Sequence, residues 1–101
     1  MKQLVLTDGS GNWFDVDKAE VFDESTRFDG HNRISIATGS QWAHQQLVHT
    51  HKGAWVLRSW SQEQGSSETI LAISEKDAFV WLINNEYYNH LPETALAALE
   101  V

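Results

Sequence analysis

The sequence predicts an α+β domain: an antiparallel sheet of four to five strands with helices on one face. Three observations predict it. Period-two alternation recurs in short runs separated by Gly-containing turns, and two segments open on capping-box spacings before helical periodicity. The length, 101 residues with 42% apolar and 21% charged, suits a single domain spanning residues 1–101.

Leu4 and Leu6 alternate with Gln3 and Val5, and Phe14 and Val16 with Trp13 and Asp15, across the break Asp8-Gly9-Ser10-Gly11. That pattern predicts a hairpin, because the glycines supply the positive φ a tight turn requires. Asp17, with Glu20 three residues on, predicts a short helix through Glu24 that lays Ala19, Val21 and Phe22 on the sheet. Residues 27–33 read as a loop with a turn at Asp29-Gly30, and residues 33–37 as a strand with one buried face. Residues 41–50 and 54–60 read as successive antiparallel strands about the turn His51-Lys52-Gly53. Residues 62–67 form a polar loop, and residues 68–73 a last strand or an irregular lead-in. Ser74 with Asp77 opens the strongest helix, whose stripe of Ala78, Phe79, Leu82 and Ile83 faces the sheet until Asn84-Asn85. Pro92 closes a polar stretch, and residues 93–99 have helical composition with Ala95, Leu96 and Leu99 on one side.

Fourteen acids against seven Lys and Arg give a formal net charge of -7. That balance argues against a nucleic-acid or anionic-membrane surface, which needs basic phosphate contacts. With no cysteine there is no disulfide and no thiolate metal site, which fits a reducing, cytoplasmic setting. Residues 4–7 are far too short for the apolar region of a signal peptide. No apolar run approaches the roughly 20 residues of a membrane span.

Catalytic equipment is sparse. His44, His49 and His51 lie within eight residues, and His49 with His51 and a distant Asp could hold a transition metal. On a strand, however, His44 faces away from both, so the structural or surface reading is favoured and no cofactor is expected. The stretch from Asp8 to Asn12 is similar to the start of a calcium loop, but its sixth position is Trp13 and its twelfth Ala19. The sharp turn and the bidentate ligand are therefore both missing. No nucleophile elbow, cysteine or phosphate-binding Gly-rich loop is present, and Asp15 with Asp17 as an acid/base pair has no visible pocket.

Charge and aromatics are more informative. Asp8, Asp15, Asp17, Glu20, Asp23, Glu24 and Asp29 place seven of the fourteen acids in 22 residues, opposed only by Lys18 and Arg27. A solvated face is the ordinary reading; the sharper one is a recognition surface at Asp15, Asp17, Glu20 and Glu24 for a basic protein. Five Trp are present, three of them between Gln41 and Ser61. Trp55 and Leu57 share one strand face, and Val56, Arg58 and Trp60 the other. Most Trp belong to a core, but with helices on one side only, Trp42, Arg58 and Trp60 are candidates for an aromatic patch on an open face.

Gly11-Asn12-Trp13-Phe14-Asp15, Ser25-Thr26-Arg27-Phe28-Asp29-Gly30, Ala37-Thr38-Gly39-Ser40-Gln41-Trp42, Gly53-Ala54-Trp55-Val56-Leu57 and Trp60-Ser61-Gln62 with Gly65-Ser66 resemble a set of small bacterial proteins of about this length. The likeness extends through Asn85. It implies a bacterial cytoplasmic protein and, since that set has no assigned function, transfers no catalytic residue.

The expectation is a non-enzymatic protein that binds another protein, or itself, as a regulator or inhibitor. The alternatives are a His/Asp metal protein or small enzyme, and a binder of a small sugar-like ligand on the Trp-rich sheet face.

Overall fold

The computed structural model describes all residues, Met1–Val101. In chain order the strands are β1 (Gln3–Val5), β2 (Trp13–Asp15), β3 (Glu20–Asp23), β4 (Thr26–Phe28), β5 (Arg33–Ser35), β6 (Ala43–His49), β7 (Trp55–Ser61) and β8 (Thr69–Ile73). The helices are α1 (Glu75–Asn84) and α2 (Glu93–Leu99), with single 3-10 turns at Val16–Lys18 and Tyr88–His90. A four-stranded sheet in the order β3-β6-β7-β8 is flanked by the two-stranded sheets β1-β2 and β4-β5, and every pairing is antiparallel. The chain is therefore α+β with antiparallel sheets. No helix is long and apolar enough to cross a membrane.

The helix predicted over residues 17–24 is absent. Asp15, not Asp17, is the cap: its carboxylate accepts the Asp17 amide at 3.0 Å and opens one 3-10 turn. The chain then becomes extended at Ala19, and β3 pairs with β6 so that Phe22 lies opposite Leu47 and Val21 opposite Val48. A helix of that length is marginal by itself, whereas the sheet edge satisfies the backbone and buries Phe22.

Register divides the sheet into two faces, because residues paired across an antiparallel ladder point the same way. On one, Phe22, Leu47 and Trp55 pack with Ala78, Trp81 and Leu82 of α1 and with Leu91, while Ala95 and Leu96 of α2 lie against the same cluster. On the other, Val48, Val56 and Ile70 pack under Leu6 and Phe14 of the β1-β2 hairpin and its turn. The expectation of an open second face is thus corrected in part. The amino-terminal hairpin roofs it because Leu6 and Phe14 need a partner surface that two short strands cannot provide for each other. Thr7 fixes the roof to the edge strand: its amide donates to the Ile70 carbonyl at 2.8 Å, and its hydroxyl accepts the Ile70 amide at 2.9 Å.

α1 begins as predicted, with the Ser74 hydroxyl accepting the Asp77 amide at 3.1 Å. Its buried stripe is Ala78, Trp81 and Leu82, with Phe79 and Ile83 only partly covered. Trp81 tolerates burial because its indole N–H donates to Gln45 Oε1 at 3.0 Å. The helix ends with the Tyr87 amide bonded to the Leu82 carbonyl and the Glu86 amide to Ile83, which places Glu86 at φ 69, a conformation usually given to glycine.

Asp15 supplies a pH prediction. Burial acts to raise its carboxyl pKa, but the amides of Lys2 and Asp17, at 3.1 and 3.0 Å, outweigh that effect and hold it below the ordinary 3.8. A depressed folded-state pKa means stability that is fully present above 3.8 and lost as pH falls through the folded value. Asp15→Asn is therefore expected to be less stable than wild type at neutral pH, with the gap closing as the solution is acidified below 3.8. Urea midpoints across the acid range measure this, and a gap independent of pH would contradict the assignment.

Candidate functional site

Strands β4 and β5 form an arm outside both core clusters. The sequence predicts a loop over residues 27–33 and a strand over 33–37; instead residues 26–35 form a hairpin. Its tip is held by the Asp29 carboxylate, which accepts the His31 and Asn32 amides at 2.9 and 2.8 Å, and by Gly30 at φ 102. The Asn32 and His31 amides keep the Asp29 carboxyl below the usual carboxylate range. β5 stops at Ser35 because the chain turns there, with the Ser35 amide bonded to the Ser40 carbonyl and the Gly39 amide to Ser35. Arg27, Phe28 and Arg33 are exposed on the arm, Phe28 at 63%.

Both legs of the arm are anchored. Ser25 donates its amide to Asn85 Oδ1 at 3.0 Å and its hydroxyl to the Asn85 carbonyl at 2.7 Å. Ser35 donates its hydroxyl to Glu24 Oε2 at 2.5 Å, and the same oxygen accepts the Gln45 amide at 2.8 Å. The other carboxylate oxygen faces His44 Nδ1 at 2.5 Å. Glu24 continues the ladder of β3 with its side chain and ties arm, β6 and His44 into one largely buried hub. His44 Nε2 is buried without a hydrogen-bond partner, and the ring lies 5.9 Å from that of Trp60.

The residues singled out in sequence separate accordingly. Asp15 is turned inward and Glu24 is committed to the hub, so of that acidic group only Asp17 and Glu20 are exposed on the surface, Asp17 with the amino-terminal ammonium at 3.7 Å. Asp15 is a 3-10 cap and Glu24 a sheet-edge substitute, roles that composition does not distinguish from a charged face. Arg58 bonds Glu68 at 2.8 Å and Gln46 at 3.1 Å, and Gln46 in turn bonds Asp23 at 2.9 Å, a polar ladder across the open part of the second face. Trp60 is half-buried beside that ladder, whereas Trp42 is 48% exposed at the foot of the arm, its amide held by the Ser40 hydroxyl at 3.0 Å.

The histidines do not converge. His44 and His49 lie on opposite faces of β6, and His51 falls in the turn after the strand has ended. His49 stacks on Trp55 with ring centroids 3.9 Å apart and 2° between planes. No three His, Asp or Glu side chains gather in a metal-ligating arrangement.

A cavity of about 600 Å³ opens between the β1-β2 hairpin and the sheet. Leu6, Phe14 and Val56 line its depth, and Trp13, Lys18, His51 and Lys52 stand at its mouth. Sequence reading missed both the arm and the cavity. The arm had a signal, since two short runs flanking Asp29-Gly30 fit a hairpin with a four-residue loop. The cavity had none, because its mouth joins residues 13, 18, 51 and 52 through tertiary pairing.

No protein-family model, curated protein or solved structure matches the chain.

Proposed function

We propose that this chain is a non-enzymatic protein-binding module that docks its partner on the arm of residues 26–35 and on Trp42. The observation that carries the reading is the exposure of Phe28, at 63%, with Arg27 and Arg33 on a hairpin that contributes nothing to either core, and of Trp42, at 48%, in the bend that leads from it into β6. Aromatic and Arg side chains are the residues that concentrate binding energy at interfaces, and a chain gains no stability from leaving them on a projecting arm. Two Arg against one Asp make the arm basic in a chain of net charge -7, so the partner surface is acidic. The same net charge disfavours a nucleic-acid partner. The cytoplasm is the proposed compartment, in keeping with a chain without cysteine.

Phe28→Ser with Trp42→Ser is expected to weaken partner affinity at least about thirtyfold, the size of a hot-spot loss of about 2 kcal/mol, while leaving the thermal midpoint unchanged. Affinity capture by the wild type, the double variant and the control Val80→Ser on the exposed side of α1 measures it. A partner retained equally by all three contradicts the arm as the docking element. Light scattering on the same proteins shows whether the partner is a second copy of the chain.

A further inference from the structure

The cavity under the amino-terminal hairpin belongs to neither the arm nor the Glu24 hub, and its lining has a definite chemistry. At about 600 Å³ it lies within the range of small-molecule pockets. Its depth is mainly apolar, formed by Leu6, Phe14 and Val56 with Asp15 and Thr50 as the buried polar members, and Ala54 and Ala72 leave room where larger residues would close it. Trp13 flanks the opening with its indole half exposed, a flat surface on which an aromatic ring can stack.

The mouth inverts the charge of the molecule. Lys18, at the end of the 3-10 turn capped by Asp15, and Lys52, in the turn between β6 and β7, both line the cavity, and neither has a carboxylate within ion-pair distance. His51, in the same turn as Lys52, also lines the cavity. The one carboxylate in the lining, Asp15, already accepts two backbone amides. In a chain where acids outnumber Lys and Arg fourteen to seven, two lysines against the single Asp15 carboxylate, on which Lys18 acts at longer range, make the entrance of this cavity a local reversal. Cations beside a low-dielectric wall attract an anion more strongly than the same charges in open solvent.

We propose that this cavity binds a small amphipathic organic anion, with a flat apolar body seated against Trp13 and Phe14 and a carboxylate held by Lys18 and Lys52. The site is independent of the arm, and one can fail without the other.

Naphthoate, neutral naphthylmethanol and cationic naphthylmethylammonium, titrated into the intact chain and followed by calorimetry and amide NMR, provide the test. Naphthoate is expected to bind one to one, at least tenfold tighter than the alcohol, with shifts centred on Trp13, Lys52, Ala54 and Ala72; the ammonium compound is expected to bind most weakly. Lys18→Gln with Lys52→Gln alters only exposed side chains and should bring naphthoate down to the affinity of the alcohol while leaving the alcohol unchanged. Ala72→Phe should fill the cavity and abolish both. Equal affinity for the three compounds, undiminished naphthoate binding in the double lysine variant, or shifts mapping elsewhere would each overturn the proposal. The lysine variant decides it even if Ala72→Phe does not fold.

Discussion

Glu24→Ala is expected to lower stability by about 3 to 5 kcal/mol, since removing a buried charged acceptor costs on the order of 1 to 3 kcal/mol for each partner left unsatisfied. Three partners lose their acceptor together: the Gln45 amide, the Ser35 hydroxyl and His44 Nδ1. Ser35 is 1% exposed, so no water replaces the carboxylate without rearrangement. His44, whose Nε2 is already without a partner, would have neither ring nitrogen satisfied. The effect reaches the proposed docking element, because Ser35 is the inner end of β5 and Glu24 is its attachment to the sheet. Hydrogen exchange at Gln45 and Ile36 should accelerate well beyond the global change, as the arm opens locally before the sheet does. Glu24→Gln keeps the shape and one acceptor oxygen, and should recover part of the loss. A urea-unfolding difference under about 1 kcal/mol for Glu24→Ala would show that the hub is not the anchor.

Leu47→Ala and Val48→Ala form the second test, and their value lies in being neighbours. Both side chains are fully buried, yet they point into different clusters, Leu47 under α1 and Val48 under the amino-terminal hairpin. Leu47→Ala is expected to cost about 3 kcal/mol from lost transfer energy and the cavity left behind, and Val48→Ala about 2 kcal/mol for its smaller side chain. A sheet with one bare face would make Val48→Ala nearly neutral. Denaturant midpoints of the two variants therefore measure whether the hairpin is a true second layer, and a Val48→Ala change below about 0.5 kcal/mol would count against it.

The parts of the fold visible in sequence are those whose signals are local. Alternation at Gln3 to Thr7 and Trp13 to Asp15, the Ser74 cap, and the two long runs on either side of His51-Lys52-Gly53 each depend on contacts within one element or across one turn. The helix expected at residues 17–24 shows where such reasoning stops. Asp17 and Glu20 have the spacing of a capping box, but Asp15 lies two residues earlier and competes for the same amide. Sheet pairing with β6, more than twenty residues away, then decides that Val21 and Phe22 are extended. Composition likewise located the acidic segment and the Trp-rich segment, but not the task of each side chain. Asp15 and Glu24 look like neighbouring acids in a charged run, yet one caps a 3-10 turn and the other substitutes for a strand. Arg58 and Trp42 look like equal members of an aromatic-basic patch; register ties Arg58 to Gln46 and Glu68 and leaves Trp42 free.

What the sequence determined alone was an acidic, cysteine-free α+β chain with antiparallel hairpins and one well-capped helix, because periodicity, turn chemistry and charge act over a few residues. What the tertiary structure decided was which surfaces remain for binding. Whether a given strand face is covered depends on an element distant in sequence. Only the docking of Leu6 and Phe14 on Val48, Val56 and Ile70 covers that part of the face and shapes the cavity beside Trp13, while Phe28 on the arm and Trp42 stay exposed.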